Sequence, residues 1–94
     1  MTKGKKDEKD EAIEYAVELM DGVVEDTGVP RNIRKSVDDA KQKVLDESEP
    51  KNVRVTTAIY ILDDVSKDIN IPAHTRTEIW QIISDLEAIR EKAK

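Results

Sequence analysis

The chain has 94 residues, of which 39% are charged and 3% are aromatic, and its formal net charge at pH 7 is −5. It contains no cysteine, which excludes a disulfide framework, a thiolate zinc site and a cysteine nucleophile. No apolar run reaches the roughly 18 residues of a membrane span, and the acidic balance gives no general attraction to nucleic acid or an anionic membrane. The first residues, MTKGKKDEKDE, are charged where a signal peptide needs an apolar stretch. We therefore expect a single cytoplasmic domain preceded by a charged, disordered tail at 1–7.

Three prolines, Pro30, Pro50 and Pro72, divide the rest of the chain into four segments. Proline is favoured in the first turn of a helix, because its missing N–H would be unsatisfied there in any case. Within each segment apolar residues recur every three or four positions, which is typical of an amphipathic helix and not of a strand. The spacing predicts helices over 8–26, 30–46, 50–67 and 72–92. Their apolar stripes predict the core: Ile13, Val17, Met20, Val24, Ile33, Val37, Ala40, Val44, Val55, Ala58, Ile59, Leu62, Val65, Ile79, Ile82, Ile83, Leu86 and Ile89.

An internal repeat relates the two halves of the chain. When the sequence is shifted by 42 residues, so that 14–44 lies over 56–86, six of 31 positions are identical. Fixed-period similarity indicates one repeated supersecondary unit, which buries its apolar face against a neighbouring copy. The repeat predicts two tandem helical hairpins, 8–46 and 50–92, that close on each other as an all-α, up-and-down four-helix bundle. The identical pairs are Ala16/Ala58, Asp21/Asp63, Val23/Val65, Asp26/Asp68, Pro30/Pro72 and Arg34/Arg76.

The repeated turns predict helix stops and starts. Gly28 and Asn70 are the residue types that best tolerate a left-handed backbone after a helix end. Val29 and Ile71 follow them and are expected to fold back onto the preceding helical turn, and the next residue, proline, to occupy the first position of the following helix. We interpret eight residues as structural turn locks: Asp26, Gly28, Pro30, Arg34, Asp68, Asn70, Pro72 and Arg76.

The two repeated aspartates, Asp26 and Asp68, need a separate explanation, since a helix C-terminus disfavours an anion. We hypothesise that each carboxylate reaches across the turn to the unpaired amides of the next helix, or to Arg34 and Arg76. The functional alternative is a pseudo-symmetric site made of two repeated acid–base pairs.

Catalytic patterns are scarce. His74 is the single histidine, and Glu78 follows it at a helical i, i+4 spacing that can hold a metal. Two ligands do not make a site, and the sequence has neither a phosphate-binding glycine loop nor an H-E-x-x-H motif. We therefore predict no enzyme activity, no cofactor and no metal site. A metal-binding protein or enzyme using His74 with nearby carboxylates is kept as the alternative.

Nucleic-acid binding is the third and weakest hypothesis. Arg31, Arg34 and Lys35 begin the predicted second helix, and Arg76 lies at the corresponding end of the fourth. The repeated aspartates at this end would neutralise them, and aromatic side chains for base stacking are nearly missing.

The aromatic residues Tyr15, Tyr60 and Trp80 fall at the flanks of their apolar stripes. One interpretation places them at the core edge, with the ring buried and the polar atom in water. The other makes them, with His74, a partner-binding surface, because Trp and Tyr are enriched at interface hot spots. Trp80 has Asp38 as its counterpart in the first half, and this asymmetry favours a specific role for the second half.

Two segments carry a resemblance to a known family: VPRNIRKSVDDA at 29–40 and NVRVTTAIYILDDVSKDINIPAHTRTEIWQIISDLE at 52–87. The chain resembles the archaeal uncharacterised protein family 0147. The resemblance implies a four-helix, up-and-down bundle of the bromodomain-like type. It points to no particular activity, because none is established for the family. We predict a small interaction or scaffold module with a protein partner, no membrane or nucleic-acid partner, and a monomeric or weakly homodimeric state.

Overall fold

The computed structural model describes residues 10–93 and consists there of four helices without strands. The helices confirm the predicted all-α architecture, and their ends fall within two or three residues of the predicted ones. The tail predicted at 1–7, and the start of the first predicted helix at 8, lie outside the described residues. The helices are α1 Glu11–Val24, α2 Arg31–Leu45, α3 Lys51–Ser66 and α4 Ala73–Ala93.

The four helices form a closed ring in chain order. Each helix packs against the next, and α4 also packs against α1. Within the described residues, no Cα–Cα approach of 8 Å or less joins α1 to α3 or α2 to α4, so these pairs lie on the diagonals. Because short turns join successive helices, neighbours run antiparallel, which is the up-and-down topology. The bromodomain-like type implied by the family resemblance stays a prediction.

The hydrophobic core consists of aliphatic side chains and Met20, and the polar Thr75 is fully buried as well. The predicted stripes supply most of it, whereas Val17, Val24 and Ile83 are only partly buried against it. Val29 and Ile71, the residues after the turn glycine and asparagine, are buried with Val23 and Val65 as expected. The core residues are Ile13, Ala16, Met20, Val23, Val29, Ile33, Val37, Ala40, Val44, Val55, Ala58, Ile59, Leu62, Val65, Ile71, Ile79, Ile82, Leu86 and Ile89.

The prolines lie one position earlier than the sequence predicts. Pro30 has extended backbone angles, φ −55° and ψ 144°, and is the N-cap of α2; Pro50 takes the same place before α3. The carbonyl of each proline accepts hydrogen bonds from the amides three and four residues later, and Pro72 does the same before α4. Proline therefore precedes the first helical residue and starts the helix through its carbonyl oxygen.

Candidate functional site

Both repeated aspartates close their own turns. Asp26 Oδ1 accepts a hydrogen bond from the Gly28 N–H at 2.9 Å, and Asp68 Oδ1 accepts one from the Asn70 N–H at 2.8 Å. We expected each carboxylate to reach the amides of the next helix or an arginine. The Asx turn instead uses the N–H two residues on, which lies closer than the next helix. These bonds give Asp26 and Asp68 a local role in the turn.

Gly28 corrects the expectation of a left-handed helix stop, because its φ lies outside that region. The end of α1 continues in right-handed geometry, with Glu25 at φ −88° and ψ −4°. A Cβ at position 28 would lie 3.2 Å from Asp26 Oδ1. Glycine is therefore suited to this turn because it lets the carboxylate approach the backbone.

The turn arginines bind carbonyl oxygens. Arg34 Nε donates to the Val29 carbonyl at 3.0 Å. Arg76 Nε donates to the Ser66 carbonyl at 3.1 Å, and its Nη2 donates to the Asp68 carbonyl at 2.8 Å. The Ser66 and Asp68 carbonyls lie at or just after the end of α3, where the backbone has unpaired acceptors and the dipole favours a cation. The Val29 carbonyl instead lies directly before Pro30, the N-cap of α2. The stability role of these turn locks remains a prediction.

A third turn with the same pattern was missed from the sequence. Asp46 Oδ1 accepts from the Ser48 N–H at 3.0 Å and from the Ser48 hydroxyl at 2.6 Å, and Arg54 Nη1 donates to the Val44 carbonyl at 3.2 Å. All three turns thus read D-x-[G/S/N]-x-P-x-x-x-R. Shifting the sequence by 20 residues aligns the first turn with this middle one, whereas a shift of 42 residues aligns the first turn with the third. A pattern found at every helix connection is better explained by turn formation than by two acid–base pairs.

His74 lies in the first turn of α4 with 64% of its side chain exposed. Its Nε2 is 3.5 Å from Asp26 Oδ2 in the α1–α2 turn. The Gly28 N–H, followed by the His74 ring, holds the pKa of Asp26 below its usual value. Over residues 10–93, no group of three or more histidine and carboxylate side chains is placed to hold a metal ion. The geometry therefore adds no third ligand to the His74 hypothesis.

Three basic residues at this end of the bundle, Arg34, Lys35 and Arg76, have local oxygen partners. Arg34 and Arg76 donate to backbone carbonyls, and Lys35 Nζ lies 3.7 Å from Asp39 Oδ1. Phosphate binding would have to compete with these contacts. The arrangement gives no support to a nucleic-acid interface.

A surface cleft of about 420 Å³ lies at the opposite end of the bundle between the starts of α1 and α3 and the end of α2. The Lys51 ammonium is hydrogen-bonded to Asp10 at its edge. Burial alone would raise the pKa of Asp10, but the Lys51 ammonium and the Ile13 N–H hold it below its usual value.

All three aromatic side chains are more than half exposed: Tyr15 at 54%, Tyr60 at 70% and Trp80 at 56%. The core-edge interpretation, which required buried rings, does not describe them. Ile69, at the tip of the α3–α4 turn, is 88% exposed. These side chains, with Val53 and Leu45, are the exposed large hydrophobic residues among those described.

The internal repeat shows that most of this exposed apolar surface belongs to one hairpin. Val53, Tyr60, Ile69 and Trp80 lie in the second hairpin, and only Tyr15 and Leu45 in the first. At a shift of 42 residues the four correspond to polar residues of the first hairpin. These counterparts are Glu11, Glu18, Thr27 and Asp38.

The described residues define an all-α four-helix bundle with an aliphatic core. Comparison with known proteins identifies the family: residues 1–89 match the profile of the Uncharacterised protein family (UPF0147). The chain belongs to this family, as its sequence segments indicated.

Relatives and solved structures agree with this assignment. A UPF0147 protein of Methanocaldococcus jannaschii is 51% identical over 72 residues, which cover 77% of each chain. The crystal structure of a UPF0147 protein from Thermoplasma acidophilum matches with a TM-score of 0.80 and 38% identity, over 83% of this chain and 92% of that one. The crystal structure of MMP1188, a protein of unknown function, matches with a TM-score of 0.79 and 47% identity, over 81% and 86%. Of the helices in the described part, none is both long and apolar enough to cross a bilayer.

Proposed function

We propose that this protein is a small, non-enzymatic, cytoplasmic interaction or scaffold module whose contact surface is the outer side of the second hairpin. The observation that supports it is the unequal exposure of large apolar residues in two hairpins of one fold. Trp and Tyr supply large contact areas at low conformational cost and are enriched at hot spots. Their exposure in a chain whose core has no aromatic residue favours binding over packing.

Six outward positions around the aromatic pair form what we call the Tyr60/Trp80 face: Thr56, Tyr60, Asp63, Thr77, Trp80 and Ser84. One of the six is charged. The matching positions of the first hairpin carry five charged residues, namely Glu14, Glu18, Asp21, Lys35 and Asp38, together with Gln42. Depletion of charge around aromatic residues is the composition of an interface centre, and the repeat provides the comparison within one molecule.

Helix geometry supports placing Trp80 on the side of α4 nearer α3. Glu78, Gln81 and Asp85 line grooves that α4 shares with α1. Trp80 lies two residues after Glu78, a rotation that leaves the two side chains about 160° apart around the helix. Ile83, one turn further on, is partly buried against the core and supports this side of α4 from within.

Tyr60 belongs to the same side of the hairpin. Arg54 and Thr57 line a groove between α3 and α2, and Asp63 lies about 180° from Arg54 around α3. Around the axis of α3, Tyr60 points between straight outward and the direction of Asp63, and it lies about one turn before Asp63 along the helix. The two aromatic residues are thus presented on the surface that α3 and α4 share.

Affinity capture from an archaeal lysate tests the proposal. The wild-type chain is the bait, Trp80→Asp introduces the first-hairpin residue, and Tyr15→Thr is the control at an aromatic residue outside the face. We expect a specific protein to bind the wild type and Tyr15→Thr and to be lost with Trp80→Asp. Capture that is unchanged by Trp80→Asp, or a purified chain that turns over a substrate, would contradict the proposal.

A further inference from the structure

On both helices of the Tyr60/Trp80 face, the side chains lie at similar distances from the α3–α4 turn end of the bundle. Asp63 lies three residues before the end of α3 and Thr77 four residues after the start of α4, which places them about 4.5 and 6 Å from that end of the bundle. Tyr60 and Trp80 follow at about 9 and 10.5 Å. Thr56 and Ser84 follow at about 15 and 16.5 Å.

Each level pairs side chains that suit each other across a symmetric contact. An acidic residue stands beside a threonine, an aromatic beside an aromatic, and a small hydroxyl beside another. A two-fold axis parallel to the bundle lays α3 of one copy on α4 of the other and repeats every contact twice. Such an axis brings Tyr60 opposite Trp80 and Asp63 opposite Thr77.

From this complementarity we infer that a second copy of the chain occupies the Tyr60/Trp80 face, with Tyr60 of each copy against Trp80 of the other. The inference rests on the proposed function, whose contact surface it uses. The face has one acidic residue, Asp63, and therefore little attraction for a nucleic acid or a strongly charged peptide. The Asp63 carboxylate is 3.2 Å from the Lys67 ammonium. That ion pair is more than half exposed on both sides, and pairs of this kind contribute little.

The matching face of the first hairpin is not expected to self-associate. Glu18 and Asp38 stand at the positions of Tyr60 and Trp80. The same two-fold operation would bring these two acids together, and like charges across an interface oppose association. Asp21 is already engaged by Lys41 at 2.7 Å across the α1–α2 interface.

The size of the face sets the strength of the dimer. The 16 residues of α3 extend about 24 Å, and two packed helices present a width of about 20 Å. The face therefore offers roughly 500 Å² per copy, below the roughly 800 Å² per partner of a standard stable interface. We expect a weak, reversible dimer, since interfaces of this size are typical of transient contacts.

Sedimentation equilibrium of the purified chain tests the inference. Protein concentrations from about 10 µM to 1 mM are used, since so small an interface should give a weak dimer. The wild type and Tyr15→Thr should shift from monomer to dimer. Trp80→Asp and Tyr60→Glu should remain monomeric while keeping the wild-type circular dichroism, since both side chains are exposed. A wild type that stays monomeric at the highest concentration, or a dimer that survives both face variants, would overturn it.

Cysteine cross-linking tests the pairing itself, since the natural chain has no cysteine. Chains carrying Thr56→Cys are mixed with chains carrying Ser84→Cys and oxidised mildly, and the mixture should form a heterodisulfide faster than either variant alone. The repeat-matched control mixes Glu14→Cys with Gln42→Cys and should cross-link no faster than random collision. Preferential homodisulfides, or equal rates in test and control, would refute this pairing. A partner captured by a monomeric chain would leave the proposed function standing while the dimer fails.

Discussion

The two hairpins have the same interior and different exteriors. Met20 and Leu62 are repeat counterparts, and both are fully buried; Arg34 and Arg76 each donate to carbonyls of the preceding turn. On the outside, Lys41 of the first hairpin forms an ion pair with Asp21. Its counterpart in the second hairpin is Ile83, which packs partly against the core.

This contrast separates the residues that build the fold from those that distinguish its two halves. A buried aliphatic residue or a turn aspartate is needed wherever a hairpin must close. An exposed Trp80 where the other hairpin has Asp38 is not needed for closure. We therefore expect substitutions of shared residues to change stability and substitutions of differing residues to change association.

The largest effects should follow truncation of the shared core. Met20→Ala and Leu62→Ala each remove a fully buried side chain and should lower the free energy of unfolding by about 2–5 kcal/mol, since the lost burial and the cavity add. Denaturant titration monitored by circular dichroism measures this. Similar losses at the two sites are expected, and a loss at one site only would show that the hairpins do not share one core.

Next come the turn arginines. Arg76→Met removes two hydrogen bonds to carbonyls and should cost about 2 kcal/mol, whereas Arg34→Met removes one and should cost about 1 kcal/mol. Methionine keeps much of the apolar stem, so the lost donors dominate. The same titration checks the order, and a larger loss at Arg34 would contradict the assigned hydrogen bonds.

Acid should weaken the fold through its turn and cap carboxylates. The hydroxyl and N–H of Ser48 hold the pKa of Asp46 below its usual value, and the pKa values of Asp10 and Asp26 are also lowered. A carboxyl with a lower pKa in the folded state stabilises it above the unfolded pKa, near 4, and loses that contribution as pH falls through the folded pKa. Thermal unfolding from pH 6 to pH 2 should show Tm falling below about pH 4, with a shallower fall in Asp46→Asn.

Removing a turn aspartate should lower Tm by a smaller amount. Asp68→Ala deletes the acceptor of the Asn70 N–H, and Asp26→Ala deletes that of the Gly28 N–H. Both sites are partly solvated, so water replaces part of each bond. Unchanged Tm in both variants, combined with lost partner binding, would favour the acid–base site over the turn locks.

The elements that follow from local chemistry were the ones predictable from the sequence. Apolar spacing predicted four helices and most of their buried faces, because burial requires a repeat near 3.6 residues. Gly28 was assigned a left-handed backbone because residue type alone does not reveal that Asp26 closes the turn. Thr75 is fully buried; it lies four residues before Ile79 and corresponds to Ile33 in the repeat, but a stripe defined by apolar residue types leaves a threonine out.

The candidate site was only partly predictable. Trp80 could be singled out from the repeat, since its counterpart is an aspartate. Its exposure and its level with Tyr60 required the packing of α3 against α4. The middle turn at 46–54 could be predicted from the sequence at a shift of 20 residues. Its hydrogen bonds between Asp46 and Ser48 are visible only in the structure.

The smallest stability effects belong to the face itself. Trp80→Asp and Tyr60→Glu should each change the free energy of unfolding by no more than about 0.5 kcal/mol, because neither side chain is in the core. Denaturant titration of these two variants beside Met20→Ala gives the contrast directly. A loss above about 2 kcal/mol would place these residues among those that build the fold.

One combined variant tests most directly whether the second hairpin's exterior is for binding. Val53→Glu, Tyr60→Glu, Ile69→Thr and Trp80→Asp together replace its exposed apolar residues with those of the first hairpin, and Tyr15→Thr with Leu45→Glu makes the reciprocal control. Association and captured partners are measured for both, alongside Tm. We predict that the combined variant keeps the wild-type Tm and loses association, whereas the control keeps both. Retained association in the combined variant, or its failure to fold, would contradict the proposal.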